Sequence, residues 1–228
     1  MDSSEKVGAV IVAAGRGERM GGVDKMFALL GGKPVLTRVV DVFQGCSLID
    51  QVVVVLSEQN LEPGKQLVAQ AGWSKVTDVC PGGQRRQDSV VAGLELLKDC
   101  QWVVVHDGAR PLVTVDLIEA GLKAAEETGA AVAAVPVTDT IKVAGDDGFV
   151  LETPPRPSLW TVQTPQVFRS DVITEAYRQE DKVTDDASLV ERLGYRVKLY
   201  MGSYDNIKIT TPDALALAEI LWRKQGGF

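Results

Sequence analysis

Short apolar, β-branched runs alternate along this chain with longer amphipathic segments. Lys6–Ala13, Gln51–Ser57, Lys75–Val79, Trp102–His106 and Ala130–Pro136 are the apolar runs. Their lack of polar alternation predicts strands covered on both faces. The segments between them carry a helical period. Pro34–Phe43 reads as a helix with Pro34 suited to its first turn. Leu61–Gly72 reads as a second. Gln84–Leu97 places Val90, Val91, Leu94 and Leu97 on one face. Thr114–Glu127 reads as a fourth helix, with Thr114 as its N-cap. Strand and helix alternating in this way predict an α/β fold with a mostly parallel sheet between two helical layers.

The pattern changes at Val137. Residues 137–161 contain Gly145, Gly148, Pro154, Pro155 and Pro157, with short alternating pieces at Thr140–Ala144 and Phe149–Glu152. This predicts a β-arm standing off the main sheet. An arm with little core of its own packs on a partner, so a homodimer through the arm is expected. A strand near Val162–Phe168, helices at Asp171–Arg178 and Asp185–Leu193, a strand at Arg196–Met201 and a helix from Thr211 to Trp222 complete the reading. Residues 1–228 are expected to form a single domain, of which the arm is part.

Composition narrows the function classes. Hydrophobic residues make up 45% of the chain and charged residues 24%, an ordinary globular balance. A net charge of −7 argues against nucleic-acid backbones and anionic membranes as partners. It leaves room for a small anionic substrate in a local basic pocket. Cys46, Cys80 and Cys100 are odd in number and lack metal-binding spacing, so buried or partly buried thiols of a cytoplasmic protein are expected. No signal peptide or membrane span is visible.

The first strand runs into a glycine-rich turn, VIVAAGRGERM over residues 10–20. Small residues let the backbone approach a ligand, and freed N–H groups can cradle phosphate oxygens. A dinucleotide fingerprint would need a third glycine where Met20 stands. It would also need an acid on the next strand about 20 residues further on, but the nearest acid there, Glu58, lies well beyond that. No P-loop pattern occurs. Two readings remain from these residues alone: a nucleotide loop of another type, with Arg19 and Lys25 set to hold a triphosphate, or a tight turn with solvated charges.

Three further clusters carry chemistry. PGGQRRQDS at residues 81–89 offers backbone groups at Gly82 and Gly83, and donors at Arg85, Arg86 and Ser89, for a base or ribose; a solvated loop before a helix is the alternative. VVVHDGARP at residues 103–111 places Asp107 at the carboxyl end of a buried strand, where open α/β sheets bind ligands. Asp107 there suits a metal or a ribose, and Arg110 a phosphate. His106, the only histidine, is read as a satisfied structural residue in preference to a base. SYDNIKITT at residues 203–211 sets Asp205 and Lys208 three apart in a strand-like segment. Thr184–Asp186 precedes a helix and suits an N-cap, with Thr184 also able to donate to a phosphate.

No nucleophile elbow, Cys–His signature or H-E-x-x-H zinc helix is present. A reaction without a protein nucleophile therefore fits best. Transfer between two phosphates is of that kind. A phosphate monoester has a second pKa near ~6 and is largely dianionic at pH 7, so it needs no general base. It needs charge neutralisation, in-line positioning and a metal.

Taken together, AAGRGERM, DKMF, GGQRRQDSV, VHDGARP, PVTDTIK, LWTVQTPQVF, VTDDASLVE and SYDNIKITTPDAL resemble the 2-C-methyl-D-erythritol 4-phosphate cytidylyltransferase family across nearly the whole chain. The resemblance implies a Rossmann-like three-layer nucleotidyltransferase fold whose β-arm crosses to a partner subunit. It implies CTP and methylerythritol phosphate as substrates, and Mg²⁺ or another divalent cation as cofactor. Arg19, Lys25 and Lys208 would be catalytic. Ala13, Ala14, Gly15, Gly17, Gly83, Gln84, Arg86, Ser89 and Asp107 would bind CTP, with Asp107 near the metal. Arg110, Thr140, Arg156, Thr184 and Asp205 would bind the polyol phosphate. Ribitol 5-phosphate is the alternative acceptor; a silent nucleotide-binding protein and a nicotinamide dehydrogenase are the more distant alternatives. Three positions depart from the family's usual pattern: Asp24 in place of Pro, Gln84 in place of an acid, and Gly108 in place of Ala or Ser.

Overall fold

A computed structural model describes residues 4–15, 24–179 and 183–226. Its centre is a seven-stranded sheet. In chain order the strands are β1 (Val7–Ala13), β4 (Gln51–Leu56), β5 (Val76–Pro81), β6 (Trp102–Asp107), β7 (Ala130–Pro136), β10 (Trp160–Arg169) and β11 (Lys198–Met201). In space they run β11-β7-β10-β6-β1-β4-β5. Two small hairpins, β2 (Leu29–Leu30) with β3 (Lys33–Pro34) and β8 (Val143–Ala144) with β9 (Val150–Glu152), lie apart from it.

The continuous apolar runs are explained by burial on both faces. Along β1, Ala9, Ile11 and Ala13 point into one core, while Val10 and Ala14 point into the other. The first core is closed by α1 (Val35–Gly45), α4 (Val115–Ala125) and α7 (Pro212–Lys224). The second is closed by α3 (Arg86–Leu94), α5 (Ser170–Ala176) and α6 (Ala187–Arg192). The remaining helix, α2 (Glu58–Ala71), packs at the β4–β5 edge. The expected α/β fold with two covered faces is what forms.

All strands of this sheet are parallel except β10, which runs antiparallel to both neighbours, β6 and β7. The reason lies in the connection. Parallel neighbours need a crossover, usually a helix, but β7 reaches β10 through the arm. Trp160 pairs with Pro136 and Thr161 with Val135, so the arm grows out of a long hairpin between these strands. The exchange of a helix for proline-rich hairpin sequence is visible in the chain; the reversal of the strand emerges only with the sheet assembled.

Several boundaries differ from those expected. The helix expected over 84–97 ends at Leu94, and successive turns carry the chain on to a buried Leu97. The helix expected from Leu61 starts at Glu58 and contains Pro63 as its sixth residue, where the missing N–H leaves the Gln59 carbonyl without its helical donor. The β2–β3 hairpin is an addition to the expected elements. Its turn is Gly31-Gly32, both left-handed, with Gly31 pressed against the Trp222 ring. The segment read as strand-like around Asp205–Lys208 is a turn followed by extended chain.

Phe168 is fully buried on β10 in the second core, beside Val172 and Ile173 of α5. Phe168→Ala is expected to cost about 3–5 kcal/mol of unfolding free energy in a urea titration.

Candidate nucleotidyl-transfer site

The carboxyl ends of β1 and β6 open into one cavity. It is lined by Val12, Ala13, Ala14, Gly15, Lys25, Met26, Gly83, Gln84, Arg85, Arg86, Ser89, Asp107, Ala109 and Lys208. This is where open α/β sheets place their ligands. The register sets Val12 beside Asp107, so the first residues after β1, Ala14 and Gly15, share one rim with the Asp107 carboxylate.

The GGQRR loop reaches that rim because two glycines permit it. A methyl group at Gly82 would lie 2.4 Å from the Ala14 Cβ and 2.5 Å from the Ser89 Oγ. One at Gly83 would lie 2.2 Å from the Asp88 Cβ. The Gly83 N–H donates to the buried Ser89 hydroxyl at 3.2 Å. Arg85 and Asp88 then box the first turn of α3, with the Arg85 N–H 2.9 Å from Asp88 Oδ2. Ser89 thus supports the loop from beneath, while the exposed Gln84 stands at the lip.

Asp107 is the charged centre of the site. The Arg86 Nε lies 3.1 Å from its Oδ1, the Lys208 Nζ 2.6 Å from its Oδ2, and the Arg110 Nε 4.0 Å away. Burial pushes the carboxyl pKa up, but Arg86, Lys208 and Arg110 outweigh it and hold it well below the usual range. Arg86 is shared. Its NH1 and NH2 donate to the fully buried Asp186 at 2.7 and 2.8 Å, and the Tyr177 hydroxyl donates to the same carboxylate. Burial disfavours the guanidinium charge, yet Asp186 and Asp107 raise its pKa further above the ordinary arginine value. Three cations around two carboxylates leave the cavity floor positive, in a chain whose total charge is −7. A local basic pocket in an acidic protein is what the sequence required of an anionic substrate.

Lys208 is carried by a segment pinned to the VHDGARP turn. The Ile209 N–H donates to the Ala109 carbonyl at 2.8 Å, and Arg110 NH1 to the Asn206 carbonyl at 2.7 Å. Asn206 is buried and donates to the Thr164 carbonyl at 2.8 Å. Gly108 makes the turn compatible with its neighbours, since a methyl there would lie 2.9 Å from the Ala13 Cβ and 3.3 Å from the Met26 Sδ.

The expected residues divide in three. Ala13, Ala14, Gly15, Gly83, Gln84, Arg86, Ser89, Asp107, Lys25 and Lys208 all line the cavity. Arg110, Thr140, Arg156, Thr184 and Asp205 do not line it. Arg110 is largely spent on Asn206, Asp205 pairs with Lys224 at 3.5 Å, and Arg156 holds the Thr138 carbonyl at the root of the arm. Gly17 and Arg19 lie outside the described residues. Tyr177 and Thr164 join the site without having been singled out from the sequence, and Asp186, read there only as part of a helix cap, joins it with no side-chain capping bond. In TDDAS it is Asp185 that accepts the Ser188 N–H at 3.2 Å, while Asp186 turns inward to Arg86. Nothing in the local sequence distinguishes the two acids.

Among the described residues no group of three or more His, Cys, Asp or Glu is placed to hold a metal ion. Asp107 is the one described carboxylate lining the cavity. That donor set does not make a protein cage, but it fits a hard cation bound chiefly by phosphate oxygens, the usual Mg²⁺ arrangement.

His106 is fully buried, and both ring nitrogens have partners. Nε2 lies 3.1 Å from the Arg110 carbonyl, which can only accept, so Nε2 carries the proton. Nδ1 then accepts from the Thr164 hydroxyl at 3.1 Å, and that oxygen accepts the Asp107 N–H at 3.0 Å. The structural reading of this histidine holds. Burial, against the pull of the Arg110 carbonyl, pushes its pKa down from 6.5 to about 4. The unfolded chain therefore binds more protons in that interval. The resulting stability is complete above the unfolded value and is lost as pH falls toward the folded one. In metal-free buffer, urea unfolding at pH 7 and pH 5 should show a loss of about 1–2 kcal/mol that His106→Gln largely abolishes.

The family model for 2-C-methyl-D-erythritol 4-phosphate cytidylyltransferase matches residues 7–224. A protein of that name from Dehalococcoides mccartyi is 55% identical over 222 residues, covering 97% of this chain and 98% of the relative. One from Alkaliphilus oremlandii is 43% identical, covering 96% of each. Among solved structures, the 4-diphosphocytidyl-2C-methyl-D-erythritol synthase of Anaerococcus prevotii superposes with a TM-score of 0.85 at 30% identity, covering 96% of this chain and 99% of that one. The cytidylyltransferase of Thermus thermophilus gives 0.77 at 34%, with the same coverage. With its sheet order, its charged cavity and these matches over nearly its full length, the chain belongs to the 2-C-methyl-D-erythritol 4-phosphate cytidylyltransferase family.

Proposed function

We infer that the cavity between β1, the GGQRR loop and Lys208 is where this chain carries out its family's reaction. The chain is a nucleotidyltransferase: the cytidylyl group of CTP passes to 2-C-methyl-D-erythritol 4-phosphate, the CTP-using step of isoprenoid precursor synthesis. The products are 4-diphosphocytidyl-2-C-methyl-D-erythritol and pyrophosphate. The observation that carries the assignment of the site is the convergence of Lys25, Lys208 and Arg86 with the glycine-rich turn around one anionic centre.

An acceptor phosphate oxygen attacks the α-phosphorus of CTP. A new P–O bond forms to it as the bond from the α-phosphorus to the bridging oxygen breaks, and the electron pair leaves with pyrophosphate. The acceptor needs no base, being already largely dianionic near neutrality. Ala13, Ala14 and Gly15, with Gly17, wrap the nucleotide. Gly83 and Gln84 bound the base and ribose, supported by Ser89. Lys25 and Lys208, with Arg19, stabilise charge that develops on the transferring and leaving phosphates. Arg86 orients Asp107 while Asp186 fixes Arg86. Asp107, together with the triphosphate, would hold Mg²⁺, which supplies further charge neutralisation at the phosphates.

Arg110, Thr140, Arg156, Thr184 and Asp205 bind the methylerythritol phosphate in this reading. Thr140 and Arg156 sit on the arm, so they reach an acceptor most readily in the cavity of a second subunit. Support comes from the arm's surface: Ile141, Val143, Phe149, Val150 and Leu151 are all exposed, Phe149 at 73% and Leu151 at 71%. Apolar side chains grouped on a two-stranded hairpin call for a covering surface. Among the described residues no helix is long and apolar enough to cross a membrane. The free thiols of Cys46, Cys80 and Cys100 support a place in the cytoplasm.

The deciding assay is pyrophosphate release with Mg²⁺, each of the four nucleoside triphosphates, and methylerythritol phosphate or ribitol 5-phosphate. Release confined to CTP with methylerythritol phosphate is expected. Release confined to ribitol phosphate would change the acceptor, and no release from folded protein would leave a silent site. Lys25→Ala should lower kcat about 100- to 1000-fold with the thermal transition unchanged; Lys208→Ala should lower kcat by a similar factor and also lower the thermal transition, because the buried Asp107 loses a compensating cation. Leu151→Asp should shift the protein toward monomer in sedimentation velocity and raise the KM for the acceptor more than that for CTP.

A further inference from the structure

Lys25 stands in the connection between β1 and the β2–β3 hairpin. A lysine on such a connection has four rotatable side-chain bonds, and its usefulness depends on how firmly its backbone is held. The residue after it is well anchored. Met26 is 1% exposed, its carbonyl accepts the Leu36 N–H at 3.0 Å, and its sulfur packs against Gly108. The residue before it has a different anchor. One Asp24 carboxylate oxygen, Oδ1, accepts the Met26 N–H at 2.8 Å, reaching across Lys25. The other, Oδ2, accepts from the Asn60 side-chain amide. The Asp24 carbonyl accepts the N–H groups of Phe27 and Ala28 at 3.2 and 2.9 Å, closing a turn that begins at the lysine.

Asn60 is a buried polar residue in the first turns of α2, 8% exposed and 36 positions from Asp24. Asn60 makes no contact with the cavity, and its side-chain donor is directed at the Asp24 carboxylate. A buried amide held in this way needs a partner, and in exchange it fixes the partner's position. Within this geometry the Lys25 Nζ comes 3.5 Å from where a Gly15 Cβ would stand, over the turn that wraps the nucleotide.

We propose that Asp24 and Asn60 form a hydrogen-bonded clamp that positions Lys25 over the phosphates of the bound nucleotide. Neither residue touches substrate; both act through the lysine. The clamp ties a catalytic side chain to α2, a helix none of whose residues lines the cavity. The proposal rests on the reading of Lys25 as a residue that stabilises the transferring phosphates. An interaction made in the transition state and misplaced lowers kcat and kcat/KM together and leaves KM nearly unchanged.

The test is a double-mutant cycle on the full chain with CTP, Mg²⁺ and methylerythritol phosphate, with thermal unfolding measured on every variant. Asp24→Ala and Asn60→Leu should each lower kcat about tenfold or more, with KM for CTP within about twofold. Asp24→Ala/Asn60→Leu should be no worse than Asp24→Ala, which already removes the acceptor of both the Asn60 amide and the Met26 N–H. Asp24→Asn should restore near-normal kcat, because its amide accepts from Met26 and donates to Asn60 once that side chain turns over. The clamp is refuted if Asp24→Ala, or Asn60→Leu in a folded protein, turns over normally, or if the two effects simply add. It is refuted equally if Asp24→Asn is as impaired as Asp24→Ala, which would make the charge, not the hydrogen-bond geometry, the active feature. Lys25→Ala separates this outcome from failure of the underlying reading. An inactive Lys25→Ala beside a normal Asp24→Ala sinks the clamp alone, whereas a normal Lys25→Ala sinks the role of the lysine itself.

Discussion

A carboxylate buried at the end of a central strand is costly unless cations and hydrogen bonds compensate it. Asp107 is that carboxylate, and its compensation organises the site. Arg86 comes to it from the start of α3, Lys208 from the segment before α7, and Arg110 from the turn that follows β6. These groups come from separate segments of the chain, and the same charge draws them together. Two of the cations that make Asp107 tolerable in the protein interior, Arg86 and Lys208, also line the cavity. In the proposed reading, folding and substrate binding therefore draw on one electrostatic arrangement.

Around that centre the supporting contacts are mostly single hydrogen bonds between buried groups. Asp186 and Tyr177 hold the far side of Arg86, so the guanidinium cannot swing toward solvent without stranding a buried carboxylate. Thr164 takes the Asp107 N–H and donates its own proton to His106, whose other nitrogen donates to the Arg110 carbonyl. Asn206 and Ile209 fasten the lysine-bearing segment to the same turn. In this polar lattice each donor just named has an acceptor, while the Asn206 Oδ1 and Arg110 Nε are left without a hydrogen-bond partner. The cost of unpairing the bonded groups holds the lattice in place.

The arm obeys a different logic. Where most of the chain links strands by helices, β7 passes to β10 through a hairpin, which forces β10 to run antiparallel and carries apolar side chains away from both cores. The same excursion places Thr164 and Gln163 on the return strand, next to Asp107 and the Asn206 segment. One insertion thereby both projects a surface and delivers residues to the site floor.

Much was determined by the sequence alone. Continuous apolar runs such as VGAVIVA and WVVVH can be stable only inside a doubly covered sheet, so the α/β class followed from periodicity. The position of Asp107 at a strand end and the paired glycines at 82 and 83 pointed to the site, because strand ends and close-approach glycines are local features. The motifs as a set identified the family. Tertiary structure decided what depends on contacts between distant segments. It set the reversed direction of β10, which the arm's return path imposes. It turned Asp186 inward while Asp185 capped a helix, a choice made by Arg86 from α3 and invisible in two adjacent aspartates. It fastened Asp24 to Asn60 across 36 positions of chain. Periodicity and spacing describe which face a residue occupies; partners for buried polar groups are selected only when the layers close around them.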